Sequence, residues 1–249
     1  MKREKTVGVY GLGRFGTFWA EELVRHGFDV AAWSRSGKTP PEGVRPASED
    51  EVLCASALFY CVSISSFEEV VARTASRIGE HTVVMDTCSV KLHPADVMAR
   101  LLPPAIECIA THPMFGPDSG KDGVEGLPMI ISAVRCKDET LNRWSEEFAR
   151  WGLKVLRMSC EQHDREAAWS QGITHFIGRT LAELSARPTD IATTGYKTLL
   201  TVMEQTCNDP IQLFYDLQRY NPYAKQMRMG LKGAIEVVME QLRRQEEQH

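Results

Sequence analysis

Val7-Gly8-Val9-Tyr10-Gly11-Leu12-Gly13-Arg14-Phe15-Gly16 is the stretch whose reading decides the fold. A short β-favouring run enters Gly11-x-Gly13-x-x-Gly16, and an amphipathic segment, Phe15–Arg25, leaves it. In that order each glycine has a physical task. Gly11 permits a tight turn, Gly13 leaves room for a pyrophosphate to approach the backbone, and Gly16 lets the helix lie close on the strand. The start of that helix presents unpaired N–H groups to phosphate. Glycine spacing alone is a weak signal and also fits a merely glycine-rich turn. Here a strand precedes it, a helix follows, and a second strand, Asp29–Trp33, lies at the distance a βαβ unit needs. The expected cofactor-binding set is therefore Gly11, Gly13, Arg14, Phe15 and Gly16, joined by Val62 and Ser63 at the end of the next strand.

Outward from that motif, β-rich runs alternate with amphipathic helices. Further strands are expected at Ala57–Val62, Thr82–Asp86, Cys108–Thr111, Pro128–Ser132 and Lys154–Arg157, and helices at Phe67–Ile78, Pro94–Leu101 and Thr140–Trp151. The alternation implies a mostly parallel α/β sheet covered on both faces. After Ser159 only helical periodicity remains, over Glu161–Leu184, Thr194–Thr206, Pro210–Tyr220 and Pro222–Gln245. The expected domains are residues 1–159, nucleotide-binding, and 160–249, helical. Leu213, Phe214, Leu217, Met227, Leu231, Ile235, Val238 and Met239 exceed the apolar needs of one short bundle, which predicts a homodimer through the helical half.

The 249 residues carry a formal net charge of −4 with scattered basic residues, which gives no footprint for nucleic acid. Seven cysteines without Cys-x-x-Cys spacing indicate neither a disulfide framework nor a zinc site. Cys54, Cys61, Cys88 and Cys108 lie in apolar or strand-like runs and read as small hydrophobes. The first apolar stretch is too short for a signal peptide or a membrane helix, so a soluble, cytoplasmic protein is expected.

The end of the second strand selects the cofactor. A free ribose 2′-hydroxyl is usually met there by an Asp or Glu, about 20 residues past the glycines. This chain instead has Ser34-Arg35-Ser36, a guanidinium between two hydroxyls, which suits a 2′-phosphate and favours NADP over NAD. The alternative is that Arg35 is an ordinary surface arginine.

Two later strand ends carry polar clusters, Asp86–Lys91 and Thr111–Gly120. Ligands of parallel α/β sheets bind outside the carboxyl ends of strands, so both clusters are expected to face the nicotinamide. Removing hydride from a carbinol carbon is helped by a base that takes the hydroxyl proton, and histidine suits that near neutrality. His112 is the best-placed candidate, although a structural loop histidine fits the residue equally when taken alone. His26, His81, His93 and His163 read as turn or surface residues, and His249 is terminal.

The motifs GLGRFG (from Gly11), DTCSVK (from Asp86), THPMFGPDSGKDG (from Thr111), QGITHFIGRTL (from Gln171) and TTGYKTLL (from Thr193) together resemble the TyrA family of prephenate/arogenate dehydrogenases. The likeness extends over nearly the whole chain and leans toward the compact, plant-type arogenate dehydrogenases. It implies a Rossmann-type domain followed by an all-helical dimerisation domain, with the active site in the cleft between them. It also implies an oxidative decarboxylation that yields tyrosine from arogenate or 4-hydroxyphenylpyruvate from prephenate. Carried over by position, His112 is the proton acceptor for the ring hydroxyl, and Ser89 aligns that hydroxyl or the histidine. No metal is expected. His175, with Gln171 one turn earlier, is expected beside the substrate or nicotinamide, the alternative being a buried, hydrogen-bonded histidine. Lys197 is a candidate for a substrate carboxylate, or else a solvated lysine.

Arogenate carries an ammonium where prephenate carries a ketone, so preference for it calls for an acidic neighbour. Asp118, with Asp122 second, is expected to supply it. Many prephenate-specific members have an arginine about one turn beyond the Lys197 position, where this chain reads Leu199-Leu200-Thr201. A β-hydroxyacid-type dehydrogenase is disfavoured because QGITHFIGRTL lacks that group's lysine. A non-catalytic NADP sensor would not need His112 and Ser89.

Overall fold

The computed structural model describes residues 6–248; Met1–Lys5 and His249 lie outside the described residues. The chain divides into two compact units between His163 and Asp164. That point lies inside a helix, Cys160–Ala167, a little beyond the 159/160 boundary drawn from the sequence pattern.

The first unit runs β1 (Val7–Tyr10), α1 (Arg14–Arg25), β2 (Val30–Trp33), β3 (Val44–Pro46), α2 (Glu49–Leu53), β4 (Ala57–Tyr60) and α3 (Ile64–Thr74). It continues with β5 (Val83–Asp86), α4 (Leu92–Leu101), β6 (Cys108–Pro113), β7 (Pro128–Arg135), α5 (Asp138–Arg150) and β8 (Lys154–Arg157), and ends in α6 (Cys160–Ala167). Across the sheet the order is β3-β2-β1-β4-β5-β6-β7-β8. Strands β6 and β7 pair antiparallel, while the other neighbours are parallel. The result is the mostly parallel α/β sheet of the Rossmann type. Strands β1, β4 and β5 are buried along their whole length, which is why they read as unbroken apolar runs instead of alternating ones.

The chain leaves β1 toward β2 on one side and returns to β4 on the other. The crevice between their carboxyl ends is the topological switch point where such sheets take their ligands. Helix α1 is fixed beneath it by Trp19, fully buried, whose ring lies 5.5 Å from Phe59 of β4 and 5.5 Å from Trp151. Two elements were not expected. Strand β3 is three residues long, includes Pro46 and sits at the sheet edge, where a proline does not break a ladder. Helix α2 is five residues long, and the Ser48–Glu51 capping box holds its start.

The second unit begins within α6. One π-helical turn, Ala168–Gly172, leads into α7 (Ile173–Glu183), followed by α8 (Thr194–Asn208), α9 (Ile211–Tyr220) and α10 (Ala224–Glu246). Gly178 lets α7 and α8 touch, since a Cβ there would stand 2.0 Å from the Thr206 hydroxyl. Leu217 and Met227 are buried, whereas Ile235, Val238 and Met239 are exposed. Among the described residues no helix is long and apolar enough to cross a membrane. All seven cysteines are free; Cys88 and Cys108 are buried, whereas Cys54 is exposed and does not pack as its apolar surroundings in sequence suggested.

Candidate active site

The glycine motif folds as its chemistry requires. Gly11 has φ +104°, and a Cβ on it would lie 2.6 Å from the Cys61 carbonyl oxygen. A Cβ on Gly16 would lie 2.0 Å from the Gly11 carbonyl oxygen, so helix and strand can close only on glycine. A Cβ on Gly13, by contrast, would meet nothing within 4 Å. That open space lies at the start of α1, which has no side-chain cap and no acidic residue in its first turn. Uncapped N–H groups with clear space before them fit a pyrophosphate. Val62 and Ser63 occupy the adjoining end of β4, and Ser63 opens α3, again without a side-chain cap.

At the end of β2, Ser34 and Ser36 bring their hydroxyls to 3.0 Å of each other across a turn closed by the Gly37 N–H donating to the Ser34 carbonyl. Arg35 projects from this turn and is exposed, with no hydrogen bond or ion pair on its guanidinium among the described residues. Lys38, not singled out in the sequence, donates to the Thr17 hydroxyl of α1 at 2.9 Å and adds a second cation to the same edge.

His112 is the penultimate residue of β6 and only 2% exposed. Its Nδ1 lies 2.8 Å from Nε2 of His163, which is itself 2% exposed on α6. His163 is thus no surface residue. Residues 163, 164 and 167 form the buried face of this helix, which carries the imidazole inward. Burial foremost, then the neighbouring His163 and the Lys91 charge, hold His112 well below the usual histidine pKa, so at neutral pH its ring is neutral.

Beside it stands a buried ion pair formed within the Asp86–Lys91 cluster. Lys91 and Asp86 are both fully buried and hydrogen-bonded to each other. Asp86 also accepts the backbone N–H groups of Cys88 (3.0 Å) and Thr111 (3.1 Å), and Lys91 donates to the Thr111 carbonyl. The end of β5 is thereby tied to the residue before His112. Ser89, between them, is half-buried; the structure draws no hydrogen bond from it to His112.

The loop after His112 is fastened to α1. Phe115 meets Phe18 edge-on at 6.2 Å, and Gly120 allows contact with the same ring, where a Cβ would lie 2.6 Å from its edge. Arg14 Nη2 donates to Asp118 Oδ1 at 2.6 Å, each side chain about one-third exposed. Asp118 is therefore joined to the glycine motif itself. Asp122 is exposed further along the loop.

In the helical unit, Gln171 lies in the π-helical turn and His175 one turn later on α7. Gln171 Oε1 and His175 Nδ1 are buried without hydrogen-bond partners among the described residues. Burial first, and then the nearby Arg179, push His175 down to about 4, so it too is neutral. A buried polar atom left unpaired costs about 1–3 kcal/mol, and two on one helix face mark a surface that a polar ligand would satisfy. Lys197 is exposed on α8.

A parallel sheet with an uncapped, glycine-lined helix start at its switch point defines a nucleotide-binding dehydrogenase fold, and this class uses a nicotinamide cofactor. Known proteins narrow the class. The family described as "Prephenate dehydrogenase, nucleotide-binding domain" matches residues 43–130, and "TYRAAT1-like, C-terminal domain" matches residues 180–249. Arogenate dehydrogenase 2, chloroplastic, of Arabidopsis thaliana is 37% identical over 95% of this chain and 69% of its own length. Arogenate dehydrogenase 1, chloroplastic, of the same plant is 37% identical over 95% of this chain, which spans 39% of that longer protein. The prephenate dehydrogenase of A. aeolicus, solved with hydroxyphenyl propionate and NAD+, superposes with a TM-score of 0.74 at 17% identity over 98% of this chain and 92% of that one. The chain belongs to the TyrA family of prephenate/arogenate dehydrogenases, oxidoreductases of tyrosine biosynthesis.

Proposed function

We propose that this protein oxidatively decarboxylates arogenate to tyrosine with NADP, and that His112 is the base. The observation that carries this reading is a buried imidazole held neutral at the carboxyl edge of the nucleotide-binding sheet, with Nδ1 engaged and Nε2 left for the substrate. His112 Nε2 takes the ring hydroxyl proton while Ser89 aligns that hydroxyl. The nicotinamide, when bound, accepts the hydride from the carbinol carbon. Loss of CO₂ then aromatises the ring, and the proton returns to the phenolate oxygen, so His112 ends neutral. The unsatisfied Gln171 and His175 are assigned to substrate polar groups, and Lys197 to a substrate carboxylate.

Arogenate is preferred over prephenate because the two plant relatives are arogenate dehydrogenases and because the loop after His112 is acidic. Arg14 occupies Asp118 Oδ1, so the ammonium is assigned to the other carboxylate oxygen, with Asp122 as the second acid. The test is a steady-state grid of both substrates against both cofactors, with the highest kcat/KM expected for arogenate with NADP. A higher value for prephenate would overturn the substrate assignment without touching His112. In the same grid Asp118→Asn should lower the arogenate-to-prephenate ratio about 10- to 100-fold, the range of one hydrogen bond to a charged group.

NADP is preferred over NAD because Arg35, Ser34 and Ser36 present a cation and two hydroxyls where a ribose-binding carboxylate would otherwise stand. Arg35→Asp should weaken NADP binding about 10- to 100-fold while NAD binding holds or improves, read by titration calorimetry in the absence of substrate. Equal losses for both cofactors would remove Arg35 from the 2′-phosphate.

The proposed assembly is a homodimer through the helical unit. Ile235, Val238, Met239 and Leu242 follow i, i+3, i+4, i+7 spacing along α10 and are each 54–62% exposed, which forms a seam for a second copy. Light scattering should give twice the 28.0 kDa chain mass, and Leu242→Asp should move the protein toward monomer.

A further inference from the structure

Two imidazoles facing each other nitrogen to nitrogen leave little choice of protonation. With His112 Nδ1 and His163 Nε2 at 2.8 Å, one must carry hydrogen and the other a lone pair. The ring planes lie at 65° with centroids 5.0 Å apart, an edge-on approach that places the nitrogens in hydrogen-bonding contact instead of stacking the faces. If His163 Nε2 donates, His112 holds its own hydrogen on Nε2 and has no lone pair to offer a substrate. If His163 Nε2 accepts, His112 holds hydrogen on Nδ1 and presents a basic Nε2. The His163 tautomer therefore decides whether His112 can be a base.

We propose that His163 is the positioning residue of this active site: its Nε2 accepts the Nδ1–H of His112, fixing the tautomer and the ring orientation that put a lone pair on His112 Nε2. This rests on the reading of His112 as the base. The device differs from a base oriented by a carboxylate. When His112 takes the substrate proton, the imidazolium donates to an imidazole nitrogen, whereas a carboxylate in that place would favour the imidazolium further. Lys91, whose charge helps to lower the His112 pKa, is itself paired with Asp86. A weaker base suits a proton that is returned within the same turnover.

The test has a direct arm and a kinetic arm. Long-range proton–nitrogen NMR spectra of the full chain, ¹⁵N-labelled at histidine and without substrate, should show His112 protonated on Nδ1 and unprotonated on Nε2. In assays, His163→Leu should lower kcat about 100-fold or more, within the range of general-base catalysis, with KM changed less than about threefold. His163→Gln, whose amide oxygen can accept the same hydrogen, should recover most of that loss. His163→Glu should raise the pH of the acid limb of kcat/KM, because a carboxylate favours the imidazolium. A purely structural His163 would neither move the pH profile nor be rescued by glutamine. Hydrogen on His112 Nε2 in the native protein overturns the proposal, and so does a His163→Leu enzyme with native kcat and pH profile. Should the leucine variant fail to fold, the NMR tautomer of the native protein still decides. The reading of His112 itself fails separately, if His112→Asn remains active whatever the tautomer.

Discussion

His112→Asn is expected to lower kcat about 10²- to 10⁴-fold, the span of general acid–base catalysis, while NADP binding measured by calorimetry stays within about twofold. The Gly11–Gly16 motif opens α1, whereas His112 stands near the end of β6 against His163, and asparagine keeps a polar group toward His163. Such a variant loses the group that takes the proton and keeps the one that holds the cofactor. Comparable losses in kcat and in cofactor affinity would mean that the substitution disturbs the fold. The native pH profile gives a second check. A base with a depressed pKa is competent wherever it is unprotonated, so activity should be flat through neutrality. It should fall only as pH drops below a value well under the usual histidine pKa of 6.5. An acid limb near 6.5 or above would place the essential base on another group.

The sequence made the sheet legible because its signals are local. Gly11, Gly13 and Gly16 announce a turn, an approach and a close packing within six residues, and apolar runs such as Val83–Met85 are what a strand buried on both faces must be. The place of His112 was legible for the same reason, at a strand end before a Pro/Gly-rich loop. The partners of these residues were harder to see. Arg14 and Asp118 lie 104 positions apart, and only folding shows that the glycine motif and the loop after His112 share an ion pair. His163 carried a usable signal: the apolar Ala167, four residues on, shares its side of α6. Ser48-x-x-Glu51 before Val52-Leu53 likewise announced α2. Strand β3 and the π-helical turn at Ala168–Gly172 gave no such notice. Three residues are too few for a period of two, and one extra residue in a turn hardly shifts a 3.6-residue pattern.

Lys91→Met is expected to cause the largest loss of stability, about 3–5 kcal/mol, or a fall in Tm of about 6–20 °C. The magnitude follows from what is left behind. Lys91 is wholly buried and sits between the Asp86 carboxylate and the Thr111 carbonyl, so removing its ammonium strands a buried carboxylate and strips a donor from the adjacent carbonyl. Backbone N–H groups of Cys88 and Thr111 still reach Asp86, but two neutral donors do not balance an interior charge. The double variant Asp86→Asn/Lys91→Met separates charge from packing. Its amide oxygen can still accept a backbone N–H, and with no ion left unpaired it should be more stable than Lys91→Met alone. A double variant as unstable as the sum of the single ones would show that the two residues act independently. Activity should respond differently. Thr111 precedes His112 and is bonded to both members of the pair, so the double variant should keep its fold yet lose kcat through a displaced His112. On that outcome the buried pair contributes little net stability over its neutral replacement, and its part is to fix the strand end that carries His112.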